Sequence, residues 1–267
     1  MSLKPSFPVE LLDEIFYFIR DDAPALRASA DVNQNFADIV EKHLYHHVTL
    51  GGPEMTAAQL SKILVDSSHI ITYIKSLGIY LSRTNSLSFL QGLRTEEEYA
   101  LIRVLPRLLH LTALSLHANI EPGVPWSDIH SNFKLSFLDC IRSPTLFDVS
   151  INCVTGFPLS LLEESLQLKS LSLIGSFSSS GLSEKQGVVM FPHLQSLTIE
   201  TPPELVEWLD RTNFSQLRSL VIWMLKGTSA DFIAGILSNS KSLTYLELHS
   251  PHRGESTYRR VSIFFRY

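Results

Sequence analysis

A six-residue frame, L-x-x-L-x-L with Ile, Val or Tyr allowed, recurs eight times along this 267-residue chain. It starts at Tyr45, Ile74, Leu111, Leu146, Leu168, Leu194, Leu217 and Leu243, so successive starts are 29, 37, 35, 22, 26, 23 and 26 residues apart. Self-similarity at such a period dictates architecture more strongly than any local propensity. Positions four and six of the frame, for example Leu171 and Leu173, share one face of a short strand, because side chains alternate along a strand. Position one turns in from the preceding loop. A single unit cannot bury that stripe, so neighbouring units must stack and share one core.

Between the frames lie stretches with apolar residues three or four apart, the spacing of an amphipathic helix. They fall at Ala57 to Val65, Glu96 to Leu109, Leu159 to Leu166, Pro203 to Leu209 and Asp231 to Leu237. A strand followed by a helix, repeated, predicts an α/β chain with a parallel inner sheet and outer helices. The last four intervals lie in the range of leucine-rich repeats, and the 37 and 35 are units with insertions. The Asn usual three residues after the last Leu appears once, as Asn119, so a continuous asparagine ladder is not expected. Two long aperiodic stretches interrupt the pattern. Asn119 to Phe133 contains Trp126, either packed or ligand-facing, and Gly175 to Val188 is rich in Ser and Gly. After Leu248 comes a basic tail, residues 251–267, in which Val261 to Phe265 is able to add an edge strand.

The first 50 residues read differently. Phe7-Pro8 opens a helix whose apolar residues are Leu11, Leu12, Ile15, Phe16 and Ile19, and Pro suits the start of a helix. A second short helix carries Leu26. Val32-Asn33-Gln34-Asn35-Phe36 leads into a third, which closes on Leu44-Tyr45-His46-His47-Val48-Thr49-Leu50. This segment, over residues 5–47, resembles an F-box. In that family a Leu-Pro pair opens the first helix and a Val-Cys-x-x-Trp stretch comes later; Phe7, Asn33 and Phe36 depart from it here. The resemblance extends to fungal F-box proteins with degenerate leucine-rich repeats. It implies a fold of a three-helix module followed by a curved repeat solenoid over residues 48–250. It implies a substrate-receptor subunit of an SCF-type cullin ubiquitin ligase. Phe7, Pro8, Leu11, Ile15, Leu26, Val32 and Phe36 would bind a Skp-type adaptor, and through it a cullin scaffold. The alternative is a non-catalytic repeat scaffold whose helical module no longer binds the adaptor.

Composition narrows the remaining classes. A net charge of −5 disfavours nucleic acid as the main partner. The two cysteines, Cys140 and Cys153, offer neither a disulfide framework nor C-x₂-C metal spacing, which fits a reducing, intracellular compartment, cytoplasmic or nuclear. No apolar run reaches the roughly 18 residues of a membrane span, and the first residues lack a secretion-signal pattern. No nucleophile elbow, zinc-protease motif or phosphate loop occurs, so the chain is not expected to be an enzyme or to hold a cofactor or metal. His46 and His47 would face opposite sides of a strand, and Glu96 to Glu98 reads as the start of a helix.

Substrate recognition is expected on the solvent-facing strand positions three, five and seven. These are small and polar in the middle of the chain and aromatic near its end. Trp223, Tyr245, Glu247 and His249 have the composition of an interface hot spot, with the two aromatics as anchors and Glu247 and His249 at the polar edge.

Overall fold

The computed structural model describes residues 8–52, 55–81, 96–118, 123–175, 177–178, 189–200, 205, 208–209, 212–224, 230–251 and 258–265. Phe7 and nearly all of the Ser/Gly-rich stretch at 175–188 therefore lie outside the described residues, as does much of the helix expected at 203–209.

Three helices come first: α1 (Val9–Phe18), α2 (Ala23–Ala30) and α3 (Gln34–Leu44). Pro8 sits just before α1, one position earlier than expected, as its N-cap residue. Asp22 Oδ1 accepts a hydrogen bond from the Ala25 N–H at 3.0 Å, and Asn33 Oδ1 accepts from the Phe36 N–H at 3.0 Å. Each satisfies an amide that the first helical turn leaves without a partner. Leu12, Phe16, Leu26, Ile39 and Val40 form a core of their own. Phe36 packs edge-on against Phe16, with ring centroids 5.6 Å apart.

A nine-stranded sheet follows, with its strands in chain order. They are β1 (His47–Leu50), β2 (Ser76–Leu81), β3 (Ala113–Ala118), β4 (Asp148–Asn152), β5 (Ser170–Ile174), β6 (Ser196–Glu200), β7 (Ser219–Trp223), β8 (Tyr245–Pro251) and β9 (Tyr258–Phe264). All neighbours pair in parallel except β8 and β9. The register matches the sequence frame. Val48, Leu77, Leu114, Val149, Leu171, Leu197, Leu220 and Leu246 stand side by side across eight strands, and all are buried. The row two residues on, from Leu50 to Ile222, is equally buried, and only its last member, Leu248, is partly open.

The helices α4 (Ala57–Asp66), α5 (Glu96–Val104), α6 (Ser131–Ile141) and α7 (Ala230–Asn239) pack on the side to which these rows point. A capping box starts α4: Thr56 Oγ1 accepts from the Gln59 N–H, and Gln59 Oε1 accepts from the Thr56 N–H. The molecule is thus mixed α/β, with seven α-helices among the described residues and a mostly parallel sheet.

Within the aperiodic stretch that ends at Phe133, the structure decides between the two readings of Trp126 and adds the start of a helix. Trp126 lies in a one-turn 3₁₀ helix, Trp126–Asp128, and is buried, its ring 4.8 Å from that of Phe157 and 6.0 Å from Phe137. It is a packing residue. The end of that aperiodic stretch starts α6, whose inward face is Phe133, Phe137, Cys140 and Ile141.

Where units stack, backbones approach closely. Gly51 follows β1 with φ of +81°, and a Cβ there would stand 2.1 Å from the Tyr80 carbonyl oxygen in the next unit. Both the conformation and the space demand glycine. Gly51→Ala is expected to destabilise the chain by about 1–3 kcal/mol, read as a lower urea midpoint with an unchanged slope. Gly52→Ala, whose added Cβ meets nothing nearer than 3.9 Å, is the control.

Candidate interaction surfaces

The first surface lies on α1. Leu12 and Phe16 point into the three-helix core, and Ile19, just past the helix end, packs against it. At 3.6 residues per turn, Leu11, Ile15 and Phe18 fall within about 60° of arc on another face. They are 48 %, 46 % and 78 % exposed, and Val32, in the turn before α3, is 63 % exposed. Scattered exposed apolar residues are ordinary, whereas these three are aligned along one face of the helix. Pro8 is exposed at the head of the helix. Two members of the sequence-derived set sit elsewhere. Leu26 is fully buried, so it holds α2 to its neighbours and presents nothing outward. Phe36 is half-buried against Phe16. Burial inside a three-helix cluster depends on how the helices cross, which their periodicity alone does not fix. Phe18, outside the sequence-derived set, continues the Leu11–Ile15 spacing at i+3 and is exposed beside them.

The second surface is the face of the sheet away from the helices. Its middle is lined by Ser115, Ser150, Ser172 and Thr198, brought side by side by the register. Tyr80 and His117 stack at one end with ring centroids 5.0 Å apart. Burial holds the His117 imidazole below its ordinary pKa. Asp148 is raised by burial, partly offset by a hydrogen bond from Ser170.

The other end gathers all four residues expected there. Trp223 and His249 are strand partners and stack face to face at 3.8 Å. Glu247 is only 7 % exposed, so it is the centre of the cluster and not its polar edge. One of its oxygens accepts hydrogen bonds from the Tyr245 hydroxyl and from Arg260 Nη2 at 2.7 Å; the other accepts from His249 Nε2 at 2.6 Å. These bonds, that of Tyr245 foremost, hold the Glu247 carboxyl below the usual carboxylate range. Arg260 belongs to β9, which returns antiparallel beside β8 and sets Phe264 against Tyr245 at 5.1 Å. The sequence did not reveal Arg260 as a member, because the antiparallel return places it there.

A carboxylate held low stabilises the fold at neutral pH, and that stabilisation is lost as pH falls through its lowered value. Glu247→Gln is expected to cost about 1–2 kcal/mol at pH 7. The difference should shrink toward acid, where the native carboxyl is itself protonated. Urea unfolding of both proteins at neutral and acid pH measures this.

The Cys140 thiol is buried and its pKa is pushed up to about 12, chiefly by burial. Its Sγ lies 3.7 Å from the Leu105 carbonyl oxygen, the setting of a packing residue. Among the described residues no group of three or more His, Cys, Asp or Glu side chains is placed to hold a metal ion. Among them, too, no helix is long and apolar enough to cross a membrane. No protein-family model matches the chain, and no curated protein matches it.

Proposed function

We propose that this chain is the substrate-receptor subunit of an SCF-type cullin ubiquitin ligase. In this reading α1 to α3 are an F-box module, the sheet and its helices are a degenerate leucine-rich-repeat solenoid, and ubiquitin transfer is performed by other subunits. The observation that carries it is the exposed stripe of Leu11, Ile15 and Phe18 beside a module core that is already complete without them. A helix that buries Leu12 and Phe16 has no internal use for a second apolar face. Pro8, Leu11, Ile15, Phe18 and Val32 are then the groups that meet a Skp-type adaptor. Asn33, at the place where the family has Cys, caps α3.

The protein substrate meets the sheet's open face at the Trp223–Tyr245 end. There Glu247 and His249 fix the aromatic rings rather than reach outward, and rigid aromatics lose little rotamer entropy when they bind. Purification of the tagged full chain from cells should recover a Skp-type adaptor and a cullin. Recovery of other proteins without either would overturn the receptor reading in favour of a plain interaction scaffold. Trp223→Ala with Tyr245→Ala should keep the adaptor and lose the substrate.

A further inference from the structure

The two ends of the sheet are finished differently. At β1 the inward residues Val48 and Leu50 are fully covered. At β9 the same two rows continue, because Ile263 stands opposite Leu246 and Val261 opposite Leu248. Here they are 40 % and 42 % exposed, and Phe264, on the other face, is 73 % exposed. Among the described residues β9 pairs with β8 alone, so its second edge is open. A seven-residue edge strand that exposes Val261, Ile263 and Phe264 is an invitation to pair.

The direction of the free hydrogen-bonding groups follows from one contact. The Phe265 N–H donates to the Thr244 carbonyl oxygen at 3.0 Å, toward β8. Backbone groups alternate along an antiparallel strand, so those of Arg260, Ser262 and Phe264 point to the open edge. We infer that a second copy of this chain pairs its β9 antiparallel with this edge, about a two-fold axis at Ser262. That register sets Ser262 opposite Ser262, Val261 opposite Ile263, and Arg260 opposite Phe264 in the two copies. Apolar residues then meet apolar residues on the core side. On the other side Arg260, its guanidinium held by Glu247 of its own copy, stands opposite the exposed Phe264. No like charges oppose each other, and the strand is complementary to itself, as a two-fold interface requires. Roughly six cross-strand hydrogen bonds close the junction, and the two sheets become one.

Sedimentation equilibrium of the full chain tests this over about 1–100 µM, the range in which an interface of this modest size would show. The expected result is a concentration-dependent dimer. Ser262→Pro removes an N–H that faces the open edge and spares the bonds to β8, so it should give a monomer with an unchanged circular dichroism spectrum. If that variant misfolds, Val261→Lys with Ile263→Lys serves instead, since it sets lysine against lysine across the axis. A native chain that stays monomeric throughout overturns the inference. So does a folded variant that dimerises like the native chain, because its interface then lies elsewhere.

Discussion

Leu197→Ala is expected to lower the stability of the chain by about 2–5 kcal/mol, the range for fully buried leucines truncated to alanine. Leu197 lies in the middle of the sheet, flanked in register by Leu171 and Leu220, and all three are buried. Parallel neighbours on both sides leave little room for the site to collapse, so the lost methyl groups leave a cavity. Leu171→Ala should behave alike. Ser172→Ala, one residue away but on the open face, should change stability by less than about 0.5 kcal/mol. Urea titrations of the three variants read the contrast directly. Equal effects at Leu171 and Ser172 would contradict the inward and outward assignment of the whole frame.

That assignment was legible because it is local and repeated. Strand side chains alternate, and the same triplet returns in every unit, so Leu168, Leu171 and Leu173 declare their burial without reference to the rest of the fold. The helix α6 was missed although Phe133, Phe137, Cys140 and Ile141 have helical spacing. Pro122, Gly123 and Pro125 just before it gave the stretch the look of a loop. The inward turn of Trp126 depends on Phe137 and Phe157, which come from later elements. Exposure was legible in part. Leu11 and Ile15 are exposed, whereas Leu26 looks the same in sequence and is buried by the crossing of α2 with α3. At the other end, Trp223 and Tyr245 were readable as outward positions. The burial of Glu247 was not, because β9 supplies Arg260 from beyond the last frame.

The larger expected effect is on binding. Replacing both Leu11 and Ile15 with alanine removes the centre of the exposed stripe and leaves Leu12, Phe16 and the module core untouched. Alanine is the best helix former, so α1 should persist. If each residue is a hot spot worth roughly 2 kcal/mol or more, the pair contributes about 4 kcal/mol, close to a thousandfold in affinity. The change should appear mainly in the dissociation rate, as is usual within one interface.

Calorimetric titration of the purified full chain with a Skp-type adaptor tests the central claim most directly. The native chain is expected to bind one adaptor with a dissociation constant at or below about 1 µM. The folded Leu11→Ala, Ile15→Ala chain should bind at least about a hundredfold more weakly, while Trp223→Ala should bind as the native chain does. No binding by the native chain, or undiminished binding by the double variant, would contradict the proposal that the α1 stripe is an adaptor-docking surface.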